Sequence, residues 1–367
     1  MSRRESLVGN SALSEALLWP LARTFGLITA IRNHCFDHRI FSTYEAALPV
    51  ICIGNVVVGG SGKSPFTSYL CQELFTHGSR PVILSRGYGG TIPGPHLVSL
   101  KDSPGLVGDE ALMHAQALSA FEIPVVIARR RSAGARFIEE HRLGDVIVLD
   151  DGFQHRRLHR ELDVVLLDVS SEQAIDRWLH GDLLPRGFLR ESYTGALRRA
   201  DAVVFVHRSD HSASASSRPP SFLLPRALPA FQFSLSPSHL VDGLTGERFD
   251  LSFLEGKRAA ALTAIATPEH FFAMVERLGG EITAKLAYRD HHAFRHEEWE
   301  RALTAGEGCV LSTEKDAVKL RQFTSKPGQL CILALKARFA EDAQAREFFN
   351  LVQSRLKIHT TQHEAEC

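Results

Sequence analysis

Between Leu48 and about Val206 the chain alternates short, unbroken apolar runs with stretches whose apolar residues recur every third or fourth position. The unbroken runs predict strands at Val50–Val57, Pro81–Leu84, Pro124–Ile127, Val146–Leu149, Val164–Leu167 and Ala202–Val206. The periodic stretches predict helices between most of them, among them Glu110–Ala120 and Ala133–His141. A strand that is apolar at every position has no solvent face, so both of its faces must be covered. Such strands separated by helices predict an α/β core: a parallel sheet with helices on both faces. Ligands of such sheets sit at the carboxyl ends of the strands, so the functional residues are expected there.

A second unit follows. Arg208–Pro229, RSDHSASASSRPPSFLLPRALP, is rich in Ser and Pro and reads as a linker. Beyond it, strands are predicted at Ala259–Thr263, Cys309–Leu311 and Cys331–Leu335, with a helix at Pro268–Leu278 stopped by Gly279. That is the content of a smaller second α/β domain, and the tail after about Leu356 reads as frayed. The expected division is residues 1–35 as an N-terminal helix, 36–207 as the core, 208–229 as the linker and 230–367 as the C-terminal domain.

In the N-terminal segment Leu17, Leu21, Phe25, Ile28 and Ile31 share one helical face, flanked by Arg23, Arg32 and His34. Glu15, Pro20 and Arg23 interrupt it, so no run approaches the ~20 apolar residues of a membrane-spanning helix. Nor does it show the charge, apolar core and cleavage pattern of a secretory signal. Two readings stand side by side: a helix lying in a membrane interface, or an amphipathic helix packed on its own domain.

Composition narrows the field. The 367 residues carry 42 basic and 42 acidic side chains, and zero formal net charge excludes a nucleic-acid binder that works through a broad basic field. The 44% hydrophobic content is ample for cores in both units. Six cysteines are scattered without a C-x-x-C pair, which indicates neither a disulfide framework nor a zinc site and fits a reducing compartment.

The most informative stretch is Val50–Pro65, VICIGNVVVGGSGKSP, an apolar strand running into Gly59-Gly60-Ser61-Gly62-Lys63-Ser64. Backbone N–H groups of such a loop surround a polyphosphate, Lys63 reaches its terminal groups, and the Ser64 hydroxyl holds Mg²⁺. The first glycine of the strict G-x-x-x-x-G-K-[ST] pattern falls on Val57. A plain glycine turn before a helix is the competing reading, but Pro65, the spacing of Phe66, Leu70 and Leu74, and the stop at Gly78 supply the helix a phosphate loop requires.

Three further groups carry chemistry. Asp150 and Asp151 end the strand Val146–Asp151 and are followed by Gly152-Phe153-Gln154-His155; an Asp at such a strand end holds Mg²⁺ in P-loop enzymes, although Asp-Gly also favours an ordinary turn. Asp109 and Glu110 follow Val107-Gly108 at a helix start, where acids also serve as caps. Asp290, His291 and His292 stand together in YRDHHAF, either as part of a metal site or as a histidine that orients a carboxylate base.

Together these residues resemble one family, the lipid A 4′-kinases, also called tetraacyldisaccharide 4′-kinases. The resemblance covers most of the chain and rests on GNVVVGGSGKSP (Gly54–Pro65), LSRGYGG (Leu84–Gly90), VGDEA (Val107–Ala111), VLDDGFQHRRL (Val148–Leu158), GDLLPRGFLRE (Gly181–Glu191), DHHAF (Asp290–Phe294) and LSTEKDAVKL (Leu311–Leu320). It implies a peripheral enzyme at the cytoplasmic face of the bacterial inner membrane. Such an enzyme uses ATP and Mg²⁺ to phosphorylate the 4′-hydroxyl of an acylated glucosamine disaccharide 1-phosphate, a late step in making lipid A. It implies that Asp109 is the catalytic carboxylate, assisted by His291, and that Glu110, Gln154 and His155 face the disaccharide. It also implies an arginine before the Ser-Ala-Gly-Ala helix, assigned to Arg131 with Arg129 and Arg130 leaving the register open. Ser61 and Ser64 stand where threonine is common in the family, and Ala111 where proline is common; Ser64 keeps the hydroxyl.

The physical reading agrees. Phosphoryl transfer needs charge neutralised on the γ-phosphate and a nucleophile held in line. Lys63 and Mg²⁺ held by Ser64 and Asp150 or Asp151 supply the first, and Asp109 steered by His291 supplies the second. Arg131, Arg156 and Arg157 are candidates for the anionic end of the substrate, the last two equally for a solvated basic edge. Two rivals remain: a P-loop switch or metallochaperone with Asp-His-His as its metal site, and a membrane-docked scaffold that binds ATP without turnover.

Overall fold

The computed structural model describes residues 12–208, 224 and 228–366. Among them thirteen strands join in one sheet. They are β1 (Val50–Gly54), β2 (Pro81–Ser85), β3 (His96–Leu97), β4 (Val125–Ile127), β5 (Val146–Asp150), β6 (Leu162–Asp168), β7 (Ala202–His207), β8 (Ala230–Asp242), β9 (Arg248–Phe249), β10 (Arg258–Thr263), β11 (Glu281–Ala287), β12 (Val310–Thr313) and β13 (Leu330–Phe339). Their order across the sheet is β11-β10-β12-β13-β8-β7-β6-β1-β5-β2-β4-β3, with β9 against β8.

From β7 to β4 every pairing is parallel. Alternate residues of each strand point to opposite faces, so Ile51 and Ile53 enter one core while Val50 and Cys52 enter the other. The first core is closed by Phe66 and Leu70 of the helix Lys63–Thr76 and by Phe348 and Val352 of the helix Asp342–Glu366. The second is closed by Ala135 and Ile138 of the helix Arg131–Glu140 and by Trp178. At ~1.5–3 kcal/mol for each fully buried Val, Leu or Ile, this two-sided burial explains why these strands carry no polar face.

Several boundaries differ from the sequence-based expectation, each for a local reason. β1 ends at Gly54 rather than Val57 because the chain leaves the sheet there: Val57 bridges to Leu189, and Val58 N–H donates to Phe188 O at 2.8 Å. Gly54 tolerates this exit; a Cβ on it would fall 2.4 Å from Phe153 Cβ. The helix expected from Glu110 begins at Asp109 and ends at Ala117, and the one expected from Ala133 begins at Arg131. The tail read as frayed is helical to Glu366, since no Gly or Pro follows Leu356 to stop it. Apart from Arg208, Leu224, Leu228 and Pro229, the segment read as linker lies outside the described residues.

The strand that carries the sheet onward is β8. Its first residues, Ala230–Ser234, lie beside β7, whereas Phe233–Asp242 pair antiparallel with β13. The β8–β13 ribbon therefore projects past the carboxyl edge of the first half; β12 joins it near its far end, beside Leu330–Leu333, and β10 pairs in turn with β12. Both run antiparallel to β8, so their carboxyl ends point back toward those of β1, β5 and β2. The second half has its own cores, built on Phe271, Phe272 and Val275 on one face and Trp299, Ala317 and Leu320 on the other. A cleft lined by two sets of strand ends results.

Candidate active site

The phosphate loop leaves β1 and enters the helix Lys63–Thr76 through Gly62, whose φ of +81° lies in the left-handed region. Gly59 has φ +122°, and Gly60 and Ser61 lie between the two. Asn55 Nδ2 donates to Ser61 Oγ at 2.9 Å and ties the loop's middle to its start. The loop is also held from outside. Arg208 Nη2 donates to Gly60 O at 2.8 Å, and a Cβ on Gly59 would sit 3.6 Å from Ala266, which follows β10. Ser64 is half-buried in the first helical turn.

The two aspartates after β5 part ways. Asp150 is buried: Thr67 Oγ1 donates to its Oδ1 at 3.1 Å, and His114 Nε2 lies 3.5 Å from its Oδ2. Asp151 turns outward with φ +48°, a backbone region rare for residues other than glycine. There it faces Lys63 Nζ at 3.6 Å and accepts from Arg190 Nη1 at 2.9 and 3.0 Å. Burial opposes its charge, but Lys63, Arg190 and Arg131 outweigh it and hold the carboxyl below its usual range.

Beside this pair lies a cluster of cationic groups. Arg131 begins its helix, is buried, and donates from Nη1 to Ala128 O at 3.1 Å. Burial, then Arg86, lowers its pKa to about 10. Arg129 and Arg130 are exposed, so among the three arginines Arg131 faces inward. His155 is pushed down to about 4 by burial and by Arg131, Arg160, Arg86 and Arg157, and is therefore neutral at pH 7. Gln154 donates to Asn55 O at 2.8 Å and Glu191 Oε1 at 3.1 Å. Arg156 is turned away, to Asp37 at 2.7 Å.

The opposite wall brings Asp109 and His291 into contact. Asp109 opens its helix, and His291 follows β11 with φ +62°. His291 Nδ1 lies 2.9 Å from Asp109 Oδ1 and 3.0 Å from Oδ2. Burial works against the Asp109 charge, but the His291 hydrogen bond and the charges of Lys315, His291 and Lys319 hold it at about 2. Burial likewise disfavours the His291 cation, yet the hydrogen bond to Asp109 raises its pKa. Glu110 points to Lys315, with Oε1 3.3 Å from Nζ. His292 is spent elsewhere, 2.9 Å from Glu298 Oε2, and among the described residues no group of three or more His, Cys, Asp or Glu is placed to hold a metal ion.

The N-terminal helix, Ala12–Asp37, is joined to this site through Asn33, whose Nδ2 donates to Glu191 Oε2 at 2.8 Å. It packs by small residues: Ala22 and Thr29 are buried, and Gly26 lets Leu183 approach. Its large apolar residues point away; Leu27 is 62% and Ile28 60% exposed, and Trp19, Leu21 and Ile31 are also exposed. Of the stripe read in the sequence, Phe25 is half-buried, and the Leu17 side chain lies outside the described residues. No helix among the described residues is long and apolar enough to cross a membrane.

A family model, tetraacyldisaccharide-1-P 4′-kinase, matches residues 14–355. The chain belongs to that family. It is 36% identical over 324 residues to a tetraacyldisaccharide 4′-kinase from Syntrophus aciditrophicus, covering 84% of this chain and 85% of the relative. It is also 36% identical over 333 residues to one from Chromobacterium violaceum, covering 89% and 91%. Among solved structures it resembles LpxK from Aquifex aeolicus, crystallised in complex with ATP. That match has 27% identity and a TM-score of 0.72, over 92% of this chain and 98% of the other. Membership of the tetraacyldisaccharide-1-P 4′-kinase family decides against the switch or metallochaperone reading.

Sequence reasoning left several residues of this candidate site without a role. Arg190 and Glu191 sit in GDLLPRGFLRE, and Lys315 and Lys319 in LSTEKDAVKL, blocks whose resemblance to the family was legible but whose contacts were not. Arg208 was counted into the linker, and buried His114 carried no signal beyond its place in a helix.

Proposed function

We propose that the two walls of this cleft divide one phosphoryl transfer: the P-loop wall holds ATP, and the Asp109–His291 wall prepares the 4′-hydroxyl of an acylated glucosamine disaccharide 1-phosphate. The observation that carries the reading is the meeting of Asp109 and His291, from opposite halves of the sheet, at 2.9 Å. Gly59, Gly60, Ser61 and Gly62 present backbone N–H groups to the phosphates, and Lys63 aims its ammonium at the transferring group. Mg²⁺ neutralises phosphate charge when bound. Ser64 and Asp151, with Asp150 behind them, would hold it through the hard oxygen donors it prefers.

On the acceptor side Asp109, held at about 2, is ionised throughout the physiological range and accepts the hydroxyl proton as the 4′-oxygen bonds to the γ-phosphorus and the γ-phosphorus to β-phosphate oxygen bond breaks, releasing ADP. A weak base suits this reaction, because little nucleophile activation is needed in a loose transition state and positioning dominates. His291 keeps the carboxylate oriented. Glu110, Arg131, Gln154 and neutral His155 lie where a sugar phosphate would be gripped, His155 as a hydrogen-bonding group and Arg131 as a cation.

The exposed apolar face of the N-terminal helix, above a small-residue docking face, supports attachment to a membrane surface. A lipid acceptor gives that attachment a purpose, and the cytoplasmic face of the bacterial inner membrane is where ATP and such an acceptor meet. The test is incubation with γ-labelled ATP and the acylated disaccharide 1-phosphate in mixed micelles. Label at the 4′-position is the expected outcome; ATP hydrolysis with an unlabelled lipid would sink the reading.

A further inference from the structure

Helix Glu314–Leu320, from the other half of the sheet, packs against helix Asp109–Ala117 and brings two lysines, four residues apart, onto one face. Lys319 is buried, with Nζ 3.4 Å from Asp109 Oδ2 and 2.9 Å from Asp316 Oδ1, and it lies 5.2 Å from the centroid of the Phe294 ring. Asp316 is itself anchored to the end of β10, accepting from Thr263 Oγ1 and Ala264 N–H, both at 2.8 Å. Lys315 Nζ lies 2.9 Å from Asp290 Oδ1, 3.3 Å from Glu110 Oε1 and 3.4 Å from His291 Nε2. Two adjacent acids of one half thus meet two ammonium groups of the other.

Burying an ammonium group is costly unless it is opposed by charge, and a buried ion pair is by itself a weak source of stability. Placement explains the arrangement better. The groups facing Asp109 are His291 from the loop after β11 and Lys315 and Lys319 from the helix after β12; Glu110 and His114 share its own helix, and Asp290 and Asp316 compete for the lysines. Lys319 reaches Oδ2 while His291 spans both oxygens, so the carboxylate is held from two directions.

We propose that Lys315 and Lys319 are positioning residues that hold Glu110 and Asp109 in catalytic register from the other half of the sheet. The proposal rests on Asp109 being the acceptor-side carboxylate.

The experiment measures kcat and both KM values for Lys315→Met, Lys319→Met and Lys319→Arg, with Lys319→Met repeated in an Asp109→Asn background. Losing one charged partner lowers kcat by about tenfold or more in each Met variant, while KM for ATP stays within about twofold because neither lysine touches the phosphate loop. Lys319→Arg, which keeps the charge, recovers most of kcat. In the Asp109→Asn background Lys319→Met adds little, because it acts through a carboxylate already gone. Wild-type kcat in both Met variants, or Met and Asn losses that simply multiply, overturns the proposal while leaving Asp109 in its role. An active Asp109→Asn enzyme instead brings down the acceptor-side reading, and the proposal with it.

Discussion

His291 Nδ1 lies 2.9 Å from Asp109 Oδ1, joining residues 182 positions apart in the sequence, from opposite halves of the sheet. Each needs the other. Without the imidazole the carboxylate loses its orienting hydrogen bond, and without the carboxylate a half-buried histidine loses the partner that raises its pKa. Residues that act as a unit give non-additive kinetics. Asp109→Ala and His291→Ala should each lower kcat by about 10²-fold or more, the range of lost acid–base help, and the double variant should lose far less than the product. Steady-state rates with a nucleotide-binding assay check this, since ATP binding should survive in all three. Fully multiplicative losses would show two independent roles.

The same pair makes stability depend on pH, with a definite sign. The Asp109 pKa is depressed to about 2, so its contribution is complete above the ordinary carboxylate range and fades only as pH falls toward that value. The His291 pKa is raised, so its contribution is complete below about 6.5 and is lost as pH rises through the elevated value. Asp109→Asn should therefore destabilise the protein more at pH 6 than at pH 9. Urea unfolding at the two pH values measures the difference; an equal loss at both would mean that the pair is not ionic in the folded state.

Lys63 is the cation of the phosphate loop and meets Asp151 at 3.6 Å. Lys63→Ala should cut kcat by about 10²-fold or more, as loss of transition-state charge stabilisation does. The melting temperature should change little, because Asp151 keeps Arg190 as a cationic partner. A purified variant with near wild-type turnover would remove the P-loop from the mechanism.

Leu27 and Ile28 are 62% and 60% exposed on the N-terminal helix. Replacing both with Ser should leave folding within about 0.5 kcal/mol per site, as exposed substitutions usually do. It should weaken liposome binding by about tenfold or more, since each side chain carries ~1.5–3 kcal/mol when fully buried in an apolar phase. KM for the lipid should rise more than KM for ATP. Unchanged sedimentation with vesicles would leave this face without a membrane role.

Much of this protein was legible without coordinates because the information is local. Apart from the two-residue β3, which no apolar run marks, the strands from β1 to β7 announce themselves as unbroken apolar runs, and the phosphate loop by its glycines and Lys63-Ser64. β11 was missed because its residues alternate between half-buried and exposed on the outer edge of the sheet, so no run of apolar residues marks it. β8 was missed because Ser and Pro interrupt its apolar residues, and they are tolerated where it forms a ribbon with β13.

The parallel sheet, the glycine-rich loop before Lys63, the paired acids after β5 and the family resemblance are thus readable from the chain. All of these are written in residues close together along the chain. Which distant groups meet is set by the folded sheet. It buried Asp150 on Thr67 and His114 but turned Asp151 toward Lys63 and Arg190, and it faced Arg131 inward while leaving Arg129 and Arg130 in solvent. It also set Lys315 and Lys319 against Glu110 and Asp109. The physical reason is the β8–β13 ribbon, which reverses strand direction and aims one set of carboxyl ends at the other. No local pattern of apolar and polar residues encodes that encounter; it exists only once the whole sheet has formed.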